Sequence, residues 1–124
     1  MIEEMNWLAI VVGALAAFGL GMVWFSPIMF GKAWVEGSHR IKPPDSPPVA
    51  AMLVQGLGTL ALALVVGATV AAGLTGTAVL AVLAASILTA GMDLFSQKSA
   101  AATLIDAGYI AAMGAIMGLA HAIL

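Results

Sequence analysis

Four long stretches of this chain are apolar, each about the length of a membrane-crossing helix. Asn6–Ser26 contains no charged side chain, and Val49–Ala72 contains none either, with Gln55 its only strongly polar residue. Thr77–Phe95 holds Asp93 near its end, and Ala100–Leu124 holds Asp106 and His121. A helix needs about 20 apolar residues to cross the hydrocarbon core. Lipid offers the backbone no partner but itself, so runs of this length are helical. The pattern predicts an all-α fold: one transmembrane domain, 1–124, bundling four transmembrane helices over 6–26, 49–72, 77–95 and 100–124.

The first run ends in "GMVWFSPIMFGKAW", Gly21–Trp34. Trp24 and Phe25 fall where amphipathic rings settle at a membrane surface. Ser26 reads as an N-cap and Pro27 as the first residue of a new turn. Met29, Phe30, Ala33 and Trp34 then recur at one-four spacing, opposite Gly31 and Lys32. This predicts a short interfacial helix after the first span, with Trp24, Phe30 and Trp34 as interface anchors. A single long helix kinked at Pro27 is the alternative. "GSHRIKPPDSPP", residues 37–48, is a proline-paired cytoplasmic linker. "GLTG", Gly73–Gly76, is a tight turn.

Composition agrees with a lipid solvent. The chain is 63% hydrophobic and 8% charged, where a soluble domain carries about 25% charged residues. A net charge of −2 without a basic run speaks against a nucleic-acid partner. The lack of cysteine removes disulfides and thiolate metal sites. The acidic start "MIEEMN" lacks a basic n-region and is expected to be uncleaved. Lys32, Arg40, Lys42 and Lys98, the 4 basic residues, all fall in the first and third loops. The positive-inside rule then places those loops in the cytoplasm and both termini outside.

Ionisable groups within a span are costly and mark candidate sites. Asp93 sits at the negative end of the third helix dipole, where a carboxylate calls for a cation. Lys32 and Lys98 lie at its level. Asp106 lies about two turns into the fourth span, with Tyr109 on the same face. Gln55 lies about as deep in the second span. Lys32, Gln55, Asp93, Asp106 and Tyr109 therefore form a candidate polar cluster in the cytoplasmic half. It is either an ion or proton site or a set of hydrogen bonds that pins the helices. His121, at the outer end, could ligate a haem or chlorophyll, or pair with Glu3 or Glu4. His39, in the linker, is expected to be solvated. Met113 and Met117, with Met22, Met29 and Met92, offer thioethers to copper(I), but methionine is also an ordinary gap-filler. The expectation is no cofactor and no metal.

Gly13, Ala17 and Gly21 repeat every four positions, as do Gly114 and Gly118. Such stripes let helices approach closely in lipid. They predict tight packing within the chain or between copies, and a homo-oligomer is expected. No phosphate loop, nucleophile elbow or zinc signature is present, so an enzyme is not expected.

"MNWLAIVVGALAAFGLGMVWFSPIMFGKAW" and "LIDAGYIAAMGAIMG" resemble the two ends of a family of small bacterial membrane proteins, domain of unknown function seventeen-sixty-one. The matching elements are Asn6–Ala9, Gly21–Pro27, Phe30–Trp34, Ile105–Tyr109 and Met113–Gly118. The middle helices align only by hydrophobicity. The family pattern often carries histidine after its Gly-Tyr pair, where this chain has Ile110. The resemblance implies a four-helix protein of the bacterial inner membrane and no established activity. The leading expectation is a non-catalytic packing or accessory protein whose partners are the bilayer and its own copies. The alternative is a small ion- or proton-coupled transporter with a cytoplasm-facing carboxylate site and an unknown substrate.

Overall fold

The computed structural model describes residues 4–124. Its elements are α1 (Trp7–Trp24), α2 (Gly31–Gly37), α3 (Val49–Ala71), α4 (Thr75–Phe95) and α5 (Ala100–Ile123). No strand occurs among the described residues. Helices α1, α3, α4 and α5 are each long and apolar enough to cross a membrane. The protein is an all-helical, multi-pass membrane bundle.

Local chemistry sets the helix ends. The Asn6 side chain accepts the Ala9 N–H at 3.0 Å and caps α1. Ser99 accepts the Ala102 N–H at 3.1 Å and caps α5. Each satisfies one of the donors a helix start leaves free. Gly73 takes the left-handed backbone, φ 74°, that reverses the chain after α3. The turn is tighter than "GLTG" suggests, because α4 already begins at Thr75.

The centre of the bundle is α5. Its buried residues Ala102, Ile105, Tyr109, Met113, Met117 and Ala120 recur every three or four positions and form one face. That helix packs against all the others. Met113 and Met117 are thus core residues. From α1 come Ala9, Ile10, Gly13 and Ala17; from α3, only Thr59, Ala63, Val66 and Gly67. Large apolar side chains cover the outside, among them Leu15, Val54, Leu57, Leu80, Ile87 and Leu104. An apolar belt of that extent is suited to lipid and would be a liability in water.

The small-residue stripes differ in use. Gly13, Ala17 and Gly21 all face α5. A β-carbon on Gly13 would lie 3.3 Å from the Met117 Cα, and one on Gly21 would lie 2.6 Å from the Tyr109 hydroxyl. Gly114 faces Val82 of α4 at similarly close range, but Gly118 faces nothing within 4 Å. The second stripe therefore serves intrachain packing at one of its two positions.

The break after α1 differs from the expected form. The chain does not continue as a kinked helix: α1 stops at Trp24, and Ser26–Phe30 forms turns before α2 begins at Gly31. The Ser26 hydroxyl donates back to the Val23 carbonyl at 2.7 Å, so it closes α1 instead of capping α2. The Ser26 carbonyl accepts the Gly31 N–H at 2.9 Å. Gly31, expected on the watery face beside Lys32, is buried against the Phe25–Ser26 backbone, while Lys32 and Ala33 are exposed. A β-carbon at Gly31 would collide with that backbone, so a glycine there is what lets this face of α2 turn inward.

Candidate functional site

The first and third loops meet at one end of the bundle. The Ser99 N–H donates to the Gly37 carbonyl at 2.9 Å. The His39 ring Nε2 donates to the Ser96 carbonyl at 2.8 Å, so His39 is not merely solvated. These contacts bring α2 alongside the start of α5 and set the geometry of the polar cluster.

Asp106 is its hub. The Trp34 indole N–H donates to Oδ1 at 2.8 Å. The Lys98 ammonium donates to Oδ2 at 3.1 Å. Lys98 also lies 3.8 Å from Asp93 Oδ1 and 5.0 Å from the centre of the Trp34 ring. All three charged side chains are largely shielded, at 12% exposure for Asp93, 15% for Asp106 and 22% for Lys98. Hydrogen bonds to charged groups are stronger than neutral ones, and shielding limits competition from water. Asp93 Oδ2 is buried with no hydrogen-bond partner among the described residues. Two carboxylates therefore share one ammonium.

Of the five residues expected to converge, the structure joins Asp93 and Asp106 through Lys98 and brings Gln55 to Tyr109. Lys32 does not take part: it is exposed and in no ion pair among the described residues. Lys98 supplies the cation instead. Its loop position lets it reach both carboxylates, whereas Lys32 sits on the outer face of α2. Tyr109 turns away from Asp106 and donates to the Ala17 carbonyl of α1 at 2.8 Å. Gln55 of α3 is exposed, yet its side chain lies close to the Tyr109 hydroxyl, and both line a groove that Asp106 also borders.

The aromatic residues have inward roles that their sequence positions do not suggest. The Trp24 indole donates to the Ile105 carbonyl at 3.0 Å. Phe30 packs edge-on against Trp24 at 4.8 Å. Phe25 packs edge-on against both Trp34, at 5.8 Å, and Tyr109, at 5.3 Å. This ring cluster, with Trp34 bonded to Asp106, fixes the turn and α2 onto α5.

The groove beside the cluster encloses about 700 Å³ and is lined by residues of α1, α3 and α5, with Trp34 of α2 and Thr89 of α4. It exists because α3 packs late: every residue of 49–58 is exposed except half-buried Gly56, and burial begins at Thr59. Asp106, Tyr109 and Gln55 all line it, with Phe18, Phe25 and Trp34. At the opposite end, His121 Nε2 is buried with no hydrogen-bond partner among the described residues. A pairing of His121 with Glu3 falls outside the described residues.

A family model described as "Protein of unknown function (DUF1761)" matches residues 8–122. No curated protein and no solved structure matches the chain.

Proposed function

We propose that this chain, which belongs to that family of unknown function, is a non-catalytic packing or accessory protein of the bacterial inner membrane and that it works as a homo-oligomer. The reading rests on one observation. Both oxygens of Asp106 are occupied, by Trp34 and Lys98. These bonds tie α2 and the α4–α5 turn to α5. The small residues that face no neighbour, such as Gly118, suit contact between copies. The sequence carries no nucleophile, phosphate-loop or zinc motif that would point to catalysis.

A second reading has its own support. Asp106, Gln55 and Tyr109 line an open groove, as a small ion- or proton-coupled transporter would require. Reconstitution into liposomes separates the two. The accessory reading expects no flux from the wild type under proton, sodium or potassium gradients. Flux that disappears in a folded Asp106→Asn variant would establish the transporter and overturn the accessory reading.

Orientation follows from charge. The basic residues fall in the first and third loops, which supports a cytoplasmic position for the end where α2 meets the α4–α5 turn. The native chain has no cysteine, which allows labelling without background. In intact cells an impermeant maleimide is expected to label Thr75→Cys and spare Ser46→Cys. The reverse pattern would invert the topology.

A further inference from the structure

We infer that the groove between α1, α3 and α5 binds a lipophilic organic cation: one positive charge carried on an apolar, ring-bearing body. The inference does not depend on the choice between accessory protein and transporter, since binding without flux suits the former and binding with flux the latter.

Charge, wall chemistry and size carry it. Asp93 and Asp106 face a single ammonium, Lys98, which leaves the cluster one positive charge short. In a poorly solvated site that deficit is made up by a proton or by a cation. Asp106 is the member that reaches the groove wall. The groove is also lined by Phe18, Phe25, Trp34 and Tyr109, with the Gln55 side chain beside Tyr109. Ring faces attract cations, most strongly where water is scarce. Among the described residues no lysine or arginine lines the groove, and the nearby Lys98 ammonium is engaged by Asp106 and Asp93, which leaves little to pair with a phosphate or carboxylate. That disfavours a phospholipid headgroup, whose phosphate would accompany any ammonium to the same carboxylate. The volume, about 700 Å³, is within the range of about 300–1,000 Å³ found for small-molecule sites. The occupant is therefore a free amphipathic cation that enters from the bilayer surface, where the exposed first half of α3 leaves the groove open.

Two probes of the same size and opposite charge test this: tetraphenylphosphonium and tetraphenylborate. Binding is measured by equilibrium dialysis on the full chain in nonionic detergent, corrected against empty micelles. Saturable phosphonium binding is expected, at least about tenfold tighter than that of the borate. Asp106→Asn should weaken it by a similar factor, while Asp45→Asn, in the exposed linker, should leave it unchanged. Ala51→Phe adds a ring to the groove from α3 and should abolish binding. Equal binding of the two probes would reduce the groove to an apolar slot and overturn the inference. So would undiminished binding in Ala51→Phe, or an equal loss in Asp45→Asn. A co-purified phospholipid that the phosphonium cannot displace, or a disulfide between copies carrying Ala51→Cys in membranes, would assign the groove to lipid or to a second copy and overturn it as well.

Discussion

Lys98→Met is expected to lower stability in detergent more than neutralising either carboxylate does. The reason is a count of charges. In the native cluster Lys98 lies 3.1 Å from Asp106 and 3.8 Å from Asp93. Removing it leaves two shielded carboxylates without a counter-ion, and breaking a buried pair from one side costs about 3–5 kcal/mol in soluble proteins. Partial exposure and protonation of one acid relieve some of this, so the expected loss is about 3 kcal/mol. Asp106→Asn is expected to be nearly neutral. Its amide oxygen can still accept from Trp34, and Lys98 remains balanced one-to-one by Asp93. Asp106→Leu falls between, at about 1–2 kcal/mol, because it strands the Trp34 N–H while Lys98 keeps Asp93 and can extend toward water. Thermal melting of the purified variants gives the order. If Lys98→Met melts like the wild type, the cluster holds nothing together. If Asp106→Asn is as damaging as Lys98→Met, the charge of Asp106 matters to the fold, and that variant no longer serves as a clean test of flux.

The sequence conveys the bundle well because the bilayer removes alternatives. In lipid a long uncharged run has one backbone solution, so four apolar runs mean four long helices, and α1, α3, α4 and α5 are long and apolar enough to span. The site was legible in its acids and not in their partners. Asp93 and Asp106 stand out as ionisable groups inside spans, and the dipole argument correctly asks for a cation beside Asp93. Which lysine answers depends on how the α4–α5 turn folds over α2, a long-range matter invisible in spacing. Two lysines at the same depth were equivalent until Gly31 turned inward and put Lys32 on the outside. The indole of Trp34 was likewise readable as an amphipathic ring at a surface, yet its N–H is bonded to Asp106 across 72 positions of sequence. Tyr109 shares a helical face with Asp106, but a face is wide enough for one side chain to reach α1 and the other α2. The groove left no sequence signal at all. Apart from Gln55 the first half of α3 is almost wholly apolar, and nothing in such a pattern tells whether a helix meets protein or lipid.

Gly21→Val is expected to destabilise the bundle by about 1–3 kcal/mol, the range for overpacking a filled site. A β-carbon there would lie 2.6 Å from the Tyr109 hydroxyl and 3.0 Å from the ring carbon that bears it. A flexible side chain would swing aside, but Tyr109 is held at several points. Its hydroxyl donates to the Ala17 carbonyl at 2.8 Å, and its ring packs on Phe25 and Trp24. The clash must therefore break that hydrogen bond or push α1 off α5. The two outcomes are separable by a double-mutant cycle with the gentler Gly21→Ala. Tyr109→Phe removes the atom at closest approach, so Gly21→Ala should cost less in the Phe background than in the native one, by about 0.5–1 kcal/mol. Equal cost in both backgrounds would mean that Gly21 clears space for the backbone of α5 and not for the hydroxyl. Gly118→Ala supplies the contrast. Among the described residues, and outside its own stretch of helix backbone, nothing lies within 4 Å of a β-carbon at that position, so the variant should melt like the wild type as a monomer. A Gly118→Ala variant that loses stability only at concentrations where the wild type is oligomeric would place this glycine between copies and give the second stripe its use.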